Sequence, residues 1–204
     1  MVEEQPPQAP DRRAPVFFLS YAQSGARNDW VPQFFDELSD HVGELMGIPP
    51  PLVGFINTDM RTGTDWNEEL AFAVGHCRVF VALLSPLYFT SPWCALEWHA
   101  FASRLPGGGS KTMLPVLWTV GNGPIPRKID RLQRFLPTPP PDGIQRRYGK
   151  EGVYGLRAAE SSDYGMVVWR LANAIADAAE KDHVPPSDAT GFEGLPESFE
   201  EDPS

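Results

Sequence analysis

A tryptophan and a glutamate four positions apart, Trp93 and Glu97, are the residues of this chain best suited to chemistry. They follow an apolar run over residues 79–84 and a turn that begins at Ser85. A helix is predicted to begin near Ser91, and the spacing of four places the aromatic ring and the carboxylate on one face of it, one turn apart. An exposed aromatic ring beside an anionic group, at the end of a buried strand, indicates a site for a flat or cationic ligand.

The elements that must position this pair alternate between strands and helices. Strands are predicted over residues 15–21, 52–57, 78–84 and 112–118, with a short edge strand over residues 152–156. Helices are predicted over residues 29–46, 66–75, 91–104, 126–135 and 164–180. Because the strands are continuously apolar and helices separate them, the pattern predicts a parallel sheet that is covered on both faces.

Three polar segments lie at the carboxyl ends of the predicted strands. Ser20 and Tyr21 end the first strand, residues 57–65 follow the second, and residues 85–93 follow the third. Ligands of open parallel sheets bind outside these strand ends. The sequence therefore predicts that the three segments converge on one cleft.

The same three segments resemble a TIR domain. Residues 16–21 (VFFLSY) are similar to its opening strand, and residues 54–69, with Gly63, Trp66 and Glu69, are similar to its second strand, the following loop and the next helix. Residues 85–98 (SPLYFTSPWCALEW) are similar to the end of its third strand and the helix after it. The resemblance covers residues 15–182 and implies a flavodoxin-like α/β fold of three layers, with a central parallel five-stranded sheet. A narrower resemblance is to bacterial proteins, the actinobacterial TIR-like proteins found beside FxSxx-COOH peptide clusters.

Many TIR domains cleave NAD+ at the bond between nicotinamide and ribose, and the resemblance implies that Glu97 is the catalytic residue. One carboxylate suffices, because nicotinamide leaves as a neutral molecule from a cationic precursor. The ribose then develops oxocarbenium charge, which a carboxylate can stabilise. The resemblance also places Trp93 near the nicotinamide, where a pyridinium over an indole ring is favourable by about 1 kcal/mol. NAD+ is then a substrate, and no cofactor is expected.

The further substrate-binding residues that the resemblance implies are Ser20, Tyr21, Asp59, Gly63 and Ser85. Ser20 and Tyr21 are candidates to donate hydrogen bonds to the phosphates or the ribose. Asp59 and Gly63 belong to the loop after the second strand, which in TIR domains borders the site and makes protein contacts. Simpler roles stay open, because Ser20 can cap a turn and Gly63 can supply a positive φ. The chain also departs from the family pattern, since no acidic residue follows Tyr21 within a few positions.

Three functions stay open on the sequence alone. The first is an NAD+ hydrolase or cyclase. The second is a non-catalytic module that signals through self-association or through another TIR or signalling protein; Trp93 is then a core anchor and Glu97 a solvated carboxylate. The third is an enzyme like the nucleoside 2-deoxyribosyltransferases, whose related fold also uses a glutamate at an N-glycosidic bond. The Trp-Cys pair at residues 93–94 argues against this third function.

The charge of the chain argues against two classes of partner. The net charge is −10, and residues 181–204, with one lysine and seven acidic residues, contribute −6 of it. An acidic chain is poorly suited to nucleic acid or to an anionic membrane surface. A signal peptide and an apolar run of the roughly 20 residues that a membrane span needs are both missing from the sequence, so a cytoplasmic location is expected. The four histidines lack metal-ligand spacing, and no metal site is expected.

Composition divides the chain into three parts. Residues 1–14 are polar and proline-rich and are predicted to be disordered. Residues 15–182 are the part that resembles a TIR domain, and the proline-rich stretch over residues 119–150 within it is predicted to be mostly loop. Residues 183–204 are predicted to be an acidic, disordered tail that folding does not need.

Overall fold

The computed structural model describes residues 14–23, 30–58, 64–105, 111–132, 134–137, 143–187 and 192–200. Within these residues one sheet contains four strands: β1 Phe17–Tyr21, β2 Gly54–Ile56, β3 Val79–Leu84 and β4 Met113–Leu117. The strand order is β2-β1-β3-β4, and every pairing is parallel. The predicted parallel α/β architecture is confirmed, with four strands in the described residues where the resemblance implied five.

Helices cover both faces of the sheet. They are α1 Trp30–Met46, α2 Thr64–His76, α3 Pro86–Thr90, α4 Pro92–Ala102, α5 Arg127–Asp130, α6 Gly143–Ala158 and α7 Asp163–Lys181, with a 3-10 turn over Pro50–Leu52. The apolar residues of α1, α6 and α7 form the core on one face of the sheet, and those of α2, α3 and α4 form the core on the other. The helix predicted over residues 126–135 is shorter in the structure, where α5 ends at Asp130.

The alternation of side chains along β1 decides which face carries the candidate site. Phe17 and Leu19 belong to the core beneath α1 and α7, whereas Phe18 belongs to the core beneath α2 and α4. Ser20 has the same parity as Phe18. It therefore points from the end of β1 toward the face that α3 and α4 cover.

The edge strand predicted over residues 152–156 is wrong, because this segment is part of α6. The helix breaks at Gly152, whose φ is 67° and whose missing Cβ would lie 2.5 Å from the carbonyl oxygen of Trp118. Glycine tolerates both the positive φ and the close approach. Val153 and Leu156 are both buried at a spacing of three, which fits one helix face better than the alternation of a strand.

The described part of the acidic C-terminal segment is packed, which differs from the disorder expected on composition. Val184 and Phe199 are buried in the core beneath α2 and α4. The Nε of Arg104, just beyond α4, donates to the carbonyl oxygen of Pro185 at 3.0 Å. The same guanidinium donates to the carbonyl oxygens of Val74 and Cys77 at the end of α2. The two buried apolar side chains and the hydrogen bonds of Arg104 stabilise the packed segment in spite of its low average hydropathy.

Residues 1–13 lie outside the described residues, so the predicted N-terminal tail stays a prediction. No helix in the described parts of the chain is both long enough and apolar enough to cross a membrane.

Removal of residues 183–204 is expected to lower the free energy of unfolding by about 3–6 kcal/mol, because burial of an apolar side chain contributes about 1.5–3 kcal/mol and two such side chains are lost. Urea unfolding followed by circular dichroism measures the change. A matched control removes only residues 201–204, which add acidic charge and no apolar side chain, and should change stability by less than about 0.5 kcal/mol. Equal stability of the longer truncation and the full chain would contradict the packing seen here.

Candidate functional site

Two consecutive serine caps build the turn between β3 and α4. The Oγ of Ser85 accepts a hydrogen bond from the main-chain N–H of Tyr88 at 3.1 Å, and a proline follows at the first helical position. The Oγ of Ser91 accepts from the N–H of Cys94 at 3.3 Å, and a proline again follows. These are favoured helix starts, since the cap satisfies a main-chain donor and proline needs none. They direct Tyr88 and Glu97 toward the end of β1.

A hydrogen-bonded chain of three side chains joins these helices to the sheet. The Oγ of Ser20 donates to Oε2 of Glu97 at 2.5 Å. The hydroxyl of Tyr88 lies 3.1 Å from the same Oγ. Because a serine hydroxyl has one proton, which here goes to Glu97, Tyr88 is the donor to Ser20. The carboxyl edge of the sheet thus holds a buried tyrosine–serine–glutamate chain that spans α3, β1 and α4.

Glu97 is 4% exposed, which excludes the solvated helix carboxylate that the sequence left open. Burial raises the pKa of its carboxyl to about 8, and the hydrogen bond from Ser20 opposes this rise. The group is therefore largely protonated at neutral pH in this closed arrangement. A ligand can reach the carboxyl only after neighbouring side chains move.

Trp93 is 46% exposed on the first turn of α4, so it is not the core anchor that the sequence left open. Its ring meets that of Phe192 edge to face, with the centroids 6.2 Å apart. Trp93 thus lies at the surface, one helical turn before the buried Glu97. Trp93 and Glu97 thus lie one turn apart on α4 as predicted, but Trp93 is exposed whereas Glu97 is buried.

The other predicted site residues have different surroundings. Tyr21 packs partly against the core on the opposite face of the sheet. Burial raises the pKa of its hydroxyl, and the negative charge of Glu97 adds to the rise. Ser85 is buried and its Oγ caps α3. Asp59 and Gly63 lie outside the described residues.

Asn57 is a polar residue at this edge whose side-chain oxygen lacks a hydrogen-bond partner within the described part of the chain. It directly follows Ile56, the last residue of β2, which pairs with Leu19, so Asn57 lies at the carboxyl end of β2. Its Oδ1 is buried and accepts no hydrogen bond from any described residue. A buried acceptor without a donor is unfavourable, and a ligand hydroxyl or amide could satisfy it.

Tyr88 and Cys94 complete the site, and sequence reasoning did not include Tyr88 in it. Tyr88 is fully buried, and Cys94 lies on the buried face of α4 three residues before Glu97. Burial raises the pKa of the Cys94 thiol far above its ordinary value, so this thiol is a packing group and not a nucleophile. The one available signal for Tyr88 was its position three residues after Ser85, the distance of a capped first turn.

Taken together, the site offers one shielded carboxyl, a tyrosine–serine support and an exposed indole ring nearby. One carboxyl can stabilise a cationic transition state or accept hydroxyl protons of a sugar. In the described ranges, no group of three or more His, Cys, Asp or Glu side chains could hold a metal ion.

Glu97→Gln is expected to make stability less dependent on pH. Below about pH 4.5 the carboxyl is protonated in the folded and in the unfolded chain. Between 4.5 and about 8 only the folded chain keeps the proton, so its stability falls as pH rises through this window. The loss is up to about 1.4 kcal/mol per pH unit, and the amide of the variant avoids it.

Urea unfolding of wild type, Glu97→Gln and Glu44→Gln between pH 5 and 9 measures this difference. Glu44 is an exposed carboxylate on α1, so Glu44→Gln should follow the wild-type curve. Parallel curves for wild type and Glu97→Gln would contradict the raised pKa.

Comparisons with known proteins bear on the family of the chain. A family model described as TIR domain matches residues 17–139, more than half of the chain. No curated protein matches the sequence. Among solved structures, the TIR domains of the activated Roq1 resistosome that directly recognises the pathogen effector XopQ are similar at 16% identity and a TM-score of 0.35, over 82% of this chain and 84% of that one. At this TM-score the likeness bears on neither function nor assembly.

Proposed function

The chain belongs to the TIR domain family, and on that premise we propose that it cleaves NAD+ at the bond between nicotinamide and ribose, with Glu97 as the catalytic residue. The observation that carries the proposal is the position of this carboxyl. It lies at the carboxyl edge of a parallel sheet, bonded to Ser20 and one helical turn after an exposed tryptophan. The edge is where parallel sheets bind their ligands.

The raised pKa of Glu97 fits a cationic substrate. A positive charge that approaches an acid favours its ionised form, so a bound nicotinamide ring lowers the pKa and the proton leaves to solvent. When the carbon–nitrogen bond breaks, its electron pair goes to the nicotinamide nitrogen and the ring becomes neutral. The carboxylate then stabilises the oxocarbenium ion on the ribose. Water adds to the ribose carbon that was bonded to nicotinamide and releases a proton. Alternatively, a nitrogen of the adenine adds to this carbon and a cyclic product forms.

The remaining residues have supporting roles in this proposal. Trp93 offers the face of its ring to the nicotinamide. Oδ1 of Asn57, which no described residue satisfies, accepts a hydrogen bond from a ribose hydroxyl or the carboxamide. Ser20 is engaged by Glu97 and Tyr88, so it orients the carboxyl more than it binds substrate. Tyr21, Ser85, Asp59 and Gly63 remain proposed substrate contacts.

Glu97→Gln is expected to lower nicotinamide release from NAD+ by about 100- to 1,000-fold, the range found when one electrostatic contact to a transition state is removed. Chromatography of the reaction mixture at a high protein concentration measures the release. Glu44→Gln is the matched control and should retain wild-type activity. Unchanged cleavage in Glu97→Gln would rule out the assigned role.

A second candidate is a non-catalytic signalling module that acts through self-association or through another TIR or signalling protein. The observation that favours it is the burial of Glu97. A carboxyl that stays buried and protonated contributes to packing and does not contact a substrate. Failure of the wild type to release nicotinamide at high concentration, with or without such a partner, would select this candidate.

Activity is expected to rise faster than linearly with protein concentration. The loop with Asp59 and Gly63 is proposed to contact a neighbouring protomer, so that only assembled molecules are competent, and apparent activity scales with that fraction. Doubling the protein should then raise the rate by more than about twofold, up to about fourfold for a dimer. Initial rates over a dilution series measure the order, and strict proportionality would exclude a need for assembly.

We also propose the narrower placement among actinobacterial TIR-like proteins of FxSxx-COOH peptide clusters, with a cytoplasmic location and no nucleic-acid or membrane partner. The three motifs that resemble the family support it. A neighbouring reading frame for a short peptide that ends in FxSxx would test the placement.

A further inference from the structure

The acidic segment after α7 returns across the helices that cover the candidate site. We call residues 182–187 and 192–200 the acidic strap. Its first half is fixed to the ends of two helices: the N–H of Ser187 donates to the carbonyl oxygen of Gly75 at 2.9 Å, and Nε of Arg104 donates to that of Pro185 at 3.0 Å. Val184, directly before Pro185, is buried in the core beneath α2 and α4.

The second half of the strap runs along α4. Phe192 meets Trp93 near the start of the helix. Nε2 of His99 lies 3.1 Å from the carbonyl oxygen of Ser198, and Nζ of Lys128 donates to that of Glu200 at 3.2 Å. The strap therefore contacts α4, the helix of Glu97, near its start and near its end.

Phe199 is the residue that ties the strap to the site. It is 2% exposed, and its ring stacks on Tyr88 with the centroids 5.5 Å apart and meets Trp98 edge to face at 5.8 Å. The hydroxyl of Tyr88 in turn supports Ser20, which holds the carboxyl of Glu97. One aromatic contact thus separates the strap from the hydrogen-bonded chain of the site.

Side-chain contacts, and not secondary structure, hold the second half of the strap to the domain. In its described residues it forms no strand or helix, and it adds no hydrogen bond to the sheet. It also brings Glu193, Glu197 and Glu200 close together in sequence, where like charges repel. A segment held by few buried side chains opens locally at a lower free energy than the whole domain.

We propose that the acidic strap is a latch that shuts the Glu97 site from solvent: seated Phe199 holds Tyr88 against Ser20, and its release opens the site. This inference rests on the proposed function for the identity of the site, but not on the occurrence of NAD+ cleavage. Opening is the movement that a ligand needs before it can reach Glu97.

The reactivity of the Cys94 thiol can report opening of the Glu97 site. Cys94 is buried in the site beside the serine–glutamate pair, and a buried thiol reacts slowly until it is exposed. Cys77 is equally buried, but its Sγ donates to the carbonyl oxygen of Val74 at the far end of α2. The two cysteines therefore distinguish local opening of the site from opening of the whole domain.

The test is the rate of N-ethylmaleimide modification of each cysteine in the full chain at one pH, measured by peptide mass spectrometry. Phe199→Ala is expected to accelerate modification of Cys94 by at least about tenfold and to leave Cys77 within about threefold of wild type. Phe199→Leu keeps an apolar side chain against Tyr88 and Trp98, so the modification rate of Cys94 should stay close to that of wild type. Phe135→Ala is the matched control, because it deletes a buried phenylalanine from the core on the other face of the sheet.

Three results would overturn the latch. The first is an unchanged rate for Cys94 in Phe199→Ala, and the second is equal acceleration of both cysteines, which reports general unfolding. The third is acceleration of Cys94 by Phe135→Ala to the level of Phe199→Ala. Because the readout uses no NAD+, an inactive wild type would refute the proposed reaction and leave the latch to be judged by the thiols.

Discussion

The hydrogen bond from Ser20 to Glu97 is the contact on which the candidate site depends. A carboxyl group that is taken out of water must keep its proton or find a partner, because an isolated buried charge is strongly unfavourable. Here burial favours the protonated form, and a single hydroxyl supports the group. This arrangement stores a proton at the edge of the sheet and keeps the carboxyl in one orientation until its surroundings change.

The rest of the site follows from how that bond is held. Parallel pairing of β1 with β3 places Ser20 opposite Ala82, so the small side chain of the neighbour leaves room above the strand end. The two serine-capped helix starts then turn the chain twice within a few residues. Tyr88 and Glu97 reach the same hydroxyl from α3 and α4, although they are nine positions apart in sequence.

Sequence reasoning recovered the sheet and the convergence of Ser20 with Glu97 because both rest on strong local patterns. Continuous apolar runs mark buried parallel strands, and the carboxyl ends of such strands share one edge. Sequence reasoning could not predict that Glu97 is buried while Trp93 is exposed. The spacing of the two residues fixes their angle around α4 but not the position of the helix on the sheet. The packing of Phe199 was also out of reach, because average composition hides a single buried aromatic among acidic neighbours. The edge strand over residues 152–156 was predicted wrongly, because this segment belongs to α6, which breaks at Gly152.

Arg104 gives the acidic strap a fixed point. Its guanidinium donates to main-chain carbonyl oxygens of Val74, Cys77 and Pro185, and a fork of several donors on one rigid group has no equivalent in lysine. Arginine also remains charged at any pH that a cell provides. The second half of the strap is therefore tethered when it leaves α4, and its return is an intramolecular event whose effective concentration can reach the millimolar range for a short link. Any other molecule that binds where Phe199 packs against Tyr88 and Trp98 must compete with the strap, whose effective concentration does not fall when the protein is diluted.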